Sequence, residues 1–211
     1  MTIKSRRHKK SKAWMNEHVN DPYVQRAQKE GWRSRAVFKL EEIDKSERLM
    51  KPGMTVVDLG AAPGGWSQYA ARAVRPGGRV LALDLLAIDP IPDVEILTGD
   101  FRDEAVFKQL LDALRAVSVD LVLSDMAPNL AGIDVIDQPR AMHLTELALD
   151  LSTRILKPGG ALLAKAFQGA GFQELVSAAR RHFATVRLKK PRASRARSAE
   201  LYLLASGRRI V

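Results

Sequence analysis

"VVDLGAAPGGWSQYAA", residues 56–71, sets an apolar run, a turn holding four glycines and prolines, and a helical pattern in immediate succession. The apolar run reads as a strand buried on both faces, and the residues from Trp66 onward read as a helix start. Gly60, Gly64 and Gly65 fall in the loop between them. Absent side chains there let another group come close to the backbone, and the helix N-terminus offers free N–H groups. The turn is neither G-x-G-x-x-G nor a phosphate-binding P-loop, because no Gly-Lys-Ser/Thr follows.

Working outward, one phrase recurs. "KPGMTVVDLG" (51–60), "RPGGRVLALD" (75–84) and "KPGGALLAKAF" (157–167) each put a basic residue, proline and glycine before an aliphatic run. Such joints stop a helix and launch a strand. Further strand patterns lie at 94–100, 119–126, 185–190 and 200–206, with helical patterns near 34–49, 66–74, 103–116, 139–156 and 172–182. Ser34 is the candidate N-cap of the first helix. The alternation predicts an α/β doubly wound sheet, parallel for most of its width, with helices on both faces. Only "PRASRARSA" separates the last two strands, too little for a crossover helix, so the seventh strand is expected to run antiparallel.

The 211 residues suit one domain, and 46% hydrophobic composition suffices for a sizeable core. No apolar stretch approaches a membrane span, so no membrane association is expected. Absence of cysteine removes disulfides, thiolate catalysis and Cys-ligated zinc. His8, His18, His143 and His182 are scattered, so no protein-built metal site is expected. The net charge of +10 divides unevenly: residues 1–39 carry eleven Lys/Arg against three acids, residues 180–211 ten against one, and residues 40–179 thirteen against twenty. Two basic ends around an acidic centre suit an enzyme acting on a polyanion, although solubility or a basic tail gives the same totals. The opening "MTIKSRRHKKSKAW" lacks the apolar core of a signal peptide; it is basic and acid-free as a mitochondrial transit peptide is, but without a convincing amphipathic stripe, and a cytoplasmic location is expected.

In open α/β sheets ligands bind beyond the carboxyl ends of the strands. Asp84, Asp100 and Asp125 close the second, third and fourth strands and join Asp58 along that edge. An acid after the second strand is the usual grip on ribose hydroxyls, but four acids would repel a pyrophosphate. S-adenosylmethionine, cationic and free of phosphate, suits this edge better than NAD. Each aspartate taken singly also suits a cap or a turn. Trp66 either stacks near the ligand or packs the helix start.

Lys165 follows four aliphatic residues in a central strand, where a charge is costly unless it reaches a carboxylate or a cleft. Asp125 leaves the neighbouring strand at the same edge. Glu200 opens the reversed strand, so it reaches that edge too. Lys39, on the helix before the sheet, is the natural fourth member, with little support from spacing. Beside a methyl donor, a lysine in this cluster either accepts a hydroxyl proton or, protonated, stabilises the developing alkoxide.

Together "SRAVFKLEEI", "VDLGAAPGGWSQ", "LSDMAPNLAG", "AKAFQG" and "SRARSAELYLLA" resemble the FtsJ/RlmE family of heat-shock ribosomal RNA methyltransferases, from about residue 12 to 208. The resemblance implies a Rossmann-like fold and adenosylmethionine-dependent methylation of a ribose 2′-hydroxyl. The family's closest bacterial members act on a uridine in the A-loop of large-subunit (23S) RNA, late in ribosome assembly. It implies a catalytic tetrad of Lys39, Asp125, Lys165 and Glu200, with Lys165 the proton acceptor. It implies cofactor contacts at Gly64, Trp66, Asp84, Asp100 and Asp125. Relatives acting on tRNA or mRNA caps share the tetrad, so the tetrad does not choose among RNAs. A small-molecule methyltransferase on the same scaffold would leave the basic ends idle, and a non-catalytic RNA assembly factor would leave the tetrad idle.

The domain reading is a partly flexible, RNA-contacting basic extension over 1–33 and one catalytic domain over 34–211. Lys9, Lys10, Lys12, Arg33, Arg35, Lys189, Lys190, Arg192, Arg195 and Arg197 are candidate phosphate contacts. Tyr202, two residues after Glu200, shares its strand face and is a candidate for touching the target nucleotide or for packing. No coiled coil or large apolar stripe asks for a dimer, so a monomer is expected.

Overall fold

The computed structural model describes residues 20–115, 117–128, 134–195 and 198–210. Two helices, α1 (Pro22–Lys29) and α2 (Val37–Glu47), precede the sheet. Then come β1 (Thr55–Leu59), α3 (Gly65–Ala73), β2 (Arg79–Asp84), β3 (Val94–Thr98), α4 (Glu104–Leu114) and β4 (Val119–Ser124). The chain closes with α5 (Asp134–Ile155), β5 (Leu156–Phe167), α6 (Phe172–His182), β6 (Phe183–Lys189) and β7 (Glu200–Arg208).

The seven strands form one sheet in the order β3-β2-β1-β4-β5-β7-β6. Strands β1 to β5 pair in parallel. β7 inserts between β5 and β6, antiparallel to both, as the short connection before it requires. This is the doubly wound sheet with a reversed last strand expected from the strand pattern, and the Rossmann-like fold that the resemblance implies.

Side-chain parity divides the core into two layers. Val57, Leu162, Ala164, Ala166, Leu203 and Ala205 meet α4, α5 and α6 on one face. Val56, Leu163, Tyr202 and Leu204 meet α2 and α3 on the other. The same parity sends Asp58, Lys165 and Glu200 to the α2/α3 face, so the ionisable residues of these strands share one side of the sheet.

Three details depart from the sequence pattern. Ser34 caps a turn rather than the helix itself: its Oγ accepts from the Ala36 N–H (3.1 Å), and α2 begins only at Val37. The third Lys-Pro-Gly-Gly joint lies within β5, because Leu156 already pairs with Val119 before the register shifts and Ala161 resumes opposite Leu121. Within the segment read as an extension, Asp21 caps α1 through the Tyr23 N–H (2.9 Å), and Ala27 is buried with Phe38 and Ala193. Among the described residues no helix is long and apolar enough to cross a membrane.

Candidate active site

β1 delivers the chain into the glycine turn at the carboxyl edge. Gly60 has φ 68° and Gly64 φ 104°, in the region that disfavours any side chain. A Cβ on Gly60 would lie 2.3 Å from Met126 Cγ, and one on Gly64 2.5 Å from Ile91 Cδ1. The bare turn is thus wedged against the loops that follow β4 and β2. Gly64 stands at the N-cap of α3 with no side-chain cap, leaving the first helical N–H groups without that partner.

The carboxylates sit around this turn. Asp84 ends β2 and accepts from Ala62 N–H (2.8 Å) and Leu86 N–H (2.8 Å), tying turn and loop to one side chain. Asp100, two residues past β3, accepts a forked contact from Arg102 (2.5–3.0 Å), which holds its carboxyl below the ordinary range. Asp58 is 1% exposed; its Oδ2 accepts from Ser67 Oγ (2.6 Å), while Oδ1 accepts from no described residue. Burial pushes Asp58 up to about 7; the Ser67 hydrogen bond opposes this, and the nearby Asp125 and Asp84 charges add to it. Trp66 is 3% exposed, tilted against Tyr202 at 5.7 Å, and its indole N–H donates to Ala36 O (2.8 Å). Its side chain is anchored between α2 and β7 beside the start of α3.

Lys39, Asp125, Lys165 and Glu200 come from four elements and meet as two ion pairs. On α2, the burial of Leu40 and Ile43 fixes the helix phase and aims Lys39 at Glu200, Nζ to Oε1 2.7 Å. On β5, Lys165 is 8% exposed and its Nζ lies 2.8 Å from both Asp125 Oδ1 and the Asp125 carbonyl. Thr145 Oγ1 on α5 anchors the Lys165 carbonyl at 2.8 Å. The Tyr202 hydroxyl donates to Asp125 Oδ1 (2.7 Å) and reaches Glu200 Oε1 (3.4 Å), joining the pairs into one network. Burial would raise the Glu200 carboxyl, but the Lys39 and Lys165 charges and hydrogen bonds from Lys39 and Ser194 hold it below its ordinary value. Burial, with Asp125 and Glu200 alongside, drives the Tyr202 hydroxyl well up, so it stays a donor. Ser194 Oγ, 2.8 Å from Glu200 Oε1, is a member that sequence reasoning missed; a serine in a loop carries no periodic signal.

The candidate phosphate contacts fare differently. Arg35 pairs with Asp21 (2.6 Å) and donates to Ala193 O (2.5 Å), and the three donors that Arg33 uses all reach backbone carbonyls. Lys189 pairs with Glu47, and Lys190 donates to the Ser198 and Glu200 carbonyls. These four make contacts within the protein, and Lys190 is exposed. Arg192 is exposed, and Arg195 is partly buried. Lys9, Lys10, Lys12 and Arg197 lie outside the described residues.

The sheet with its last strand reversed is a Rossmann-like α/β fold whose glycine turn and acids line the ligand edge beyond the strands' carboxyl ends. Residues 32–208 match the FtsJ-like methyltransferase family, and the chain belongs to it. It is 57% identical over 201 residues to "Ribosomal RNA large subunit methyltransferase E" of Legionella pneumophila (strain Paris), covering 95% of this chain and 98% of that one. The protein of the same name from Pseudomonas aeruginosa (strain UCBPP-PA14) is 55% identical, with 95% and 97% covered. A crystal structure of a Plasmodium falciparum ribosomal RNA methyltransferase superposes with TM-score 0.73 at 25% identity, covering 84% of this chain and 98% of that one.

Proposed function

We propose that this protein transfers a methyl group from S-adenosylmethionine to a ribose 2′-hydroxyl of a uridine in the A-loop of large-subunit ribosomal RNA. The observation that carries the reading is the Lys165 amine, held by two Asp125 oxygens on the same edge and face as the glycine turn. The relatives' shared name supports the ribosomal substrate, and the motif resemblance supports the uridine and the A-loop. The large ribosomal subunit in the cytoplasm is then the partner, met by a monomer.

The cofactor edge fits a cation. Asp58 keeps an unpartnered buried oxygen and a raised carboxyl beside Asp84 and Asp125, the setting that an ammonium or sulfonium group relieves. Asp84 and Asp100 would hold the nucleoside, and the Gly64 turn and the first N–H groups of α3 would line the remainder. When bound, adenosylmethionine supplies an electrophilic methyl on a sulfonium centre.

The chain's own residues then align the sugar and move one proton. To accept the 2′-hydroxyl proton the Lys165 ammonium first gives up one of its own; its two remaining N–H bonds then rest on Asp125 Oδ1 and the Asp125 carbonyl, and its lone pair turns to the attacking hydroxyl. Lys39, aimed by Glu200, places positive charge where the sugar oxygen becomes anionic. Positioned general-base catalysis contributes roughly 10²–10⁴-fold.

The test is methyl transfer from labelled donor to RNA or subunits taken from a strain lacking the protein, followed by mapping. A 2′-O-methyluridine in the A-loop is expected. Modification confined to tRNA would move the substrate, and no RNA labelling would defeat the reading.

A further inference from the structure

Arg33 lies in the basic N-terminal region, yet its guanidinium faces the protein. Nη1 donates to Pro63 O (3.2 Å) and Asp89 O (2.8 Å), and Nη2 donates to Pro90 O (2.7 Å). Pro63 belongs to the glycine turn after β1; Asp89 and Pro90 belong to the loop after β2. One planar fork therefore fastens both loops at the edge where Gly64 and Asp84 stand. The Arg33 N–H donates to Gln68 Oε1 (3.2 Å), and Gln68 Nε2 donates to Gly31 O (2.9 Å), locking the arginine backbone to α3. Its Cδ lies 3.4 Å from where a Gly64 Cβ would stand, so the stem packs on the turn. Ile88 and Ile91 bury against Ala61 and Ala82. The loop after β2 is thus held both by apolar packing and by the Arg33 hydrogen bonds.

We infer that Arg33 is a positioning residue for the adenosylmethionine pocket, setting the spacing of the glycine turn and the post-β2 loop. This rests on the cofactor reading above. A guanidinium presents five donors in a rigid plane, while an ammonium is a point charge on a flexible stem. Lysine therefore keeps the charge but cannot reach three carbonyls on two loops in the same geometry. A phosphate contact through charge alone makes a different demand, since lysine keeps that charge.

The experiment uses the full-chain protein and its Arg33→Lys and Arg33→Ala variants. Calorimetry measures affinity for S-adenosylhomocysteine, and a second titration measures RNA affinity against salt. Losing charge-assisted hydrogen bonds should weaken adenosylhomocysteine binding about tenfold in both variants, with no rescue by lysine. The salt slope of RNA binding should stay that of the parent. The inference is overturned if Arg33→Lys binds adenosylhomocysteine like the parent, or if Arg33→Ala alters only RNA affinity and lowers the salt slope by about one. Should Arg33→Ala fail to fold, Arg33→Lys alone decides between these outcomes. If the parent protein binds no adenosylhomocysteine, the cofactor reading falls and this inference falls with it.

Discussion

Asp58 couples the cofactor edge to pH. Its folded carboxyl sits at about 7 against an ordinary 3.8, so between those values the folded state holds a proton that the unfolded chain releases. The stability it contributes is complete below the unfolded value and is lost as pH rises through about 7. The Asp58 contribution to the Tm should therefore fall between about pH 4 and pH 7, and Asp58→Asn should flatten that fall. A nearby cationic group favours the carboxylate, so adenosylmethionine, and adenosylhomocysteine through its ammonium, should bind with release of part of a proton near pH 7, and more tightly at pH 8 than at pH 6. Calorimetry in buffers of different ionisation enthalpy measures that release; Asp58→Asn should abolish it, and pH-independent binding would contradict the assignment. At this scale Asp84, Asp100 and Asp125 were legible because each follows an apolar run at its carboxyl end. Lys165 was legible because charge is rare in a buried aliphatic run. Arg33 and Ser194 were not, since hydrogen bonds to backbone carbonyls or from a loop hydroxyl leave no pattern in residue type.

Among the elements, the glycine turn and the β6–β7 loop do the positioning. Gly64→Ala combines a φ of 104° with a 2.5 Å approach to Ile91 Cδ1, so it strains the backbone and pushes the post-β2 loop away. It should lower stability by about 1–3 kcal/mol and weaken adenosylhomocysteine binding, read by denaturant titration and calorimetry. The β6–β7 loop is fastened from several sides. Arg35 holds Ala193 O (2.5 Å), Glu42 accepts from the Arg192 N–H (2.9 Å), and Lys190 holds Glu200 O (2.6 Å). These contacts present Ser194 to Glu200 and, through Glu200, aim Lys39. Ser194→Ala should lower kcat several-fold while leaving adenosylhomocysteine affinity unchanged; an unaltered kcat would remove the serine from the network. The strands and most helices were readable from their spacing. Helix α1 was not recognised, although Asp21 before Pro22 is a start signal, because its basic surroundings pointed to an extension.

Across the whole molecule the basic ends flank an acidic centre, but charge count overstates the surface available to RNA. Arg35, Lys189 and Arg187 pair with Asp21 and Glu47, and Arg33 and Lys190 bind carbonyls. RNA affinity should still fall steeply with salt, by a log–log slope of about 0.9 per phosphate neutralised in a duplex, while adenosylhomocysteine affinity should barely change. Equal salt dependence for both ligands would argue against a polyanion substrate.

The central claim is that Lys165 takes the proton from the ribose hydroxyl. Single-turnover methyl transfer to the target RNA by Lys165→Ala, with adenosylhomocysteine affinity measured on the same preparation, tests it most directly. Affinity should match the parent while the rate drops by roughly 10²–10⁴-fold. A rate equal to the parent's at the same affinity would contradict the claim.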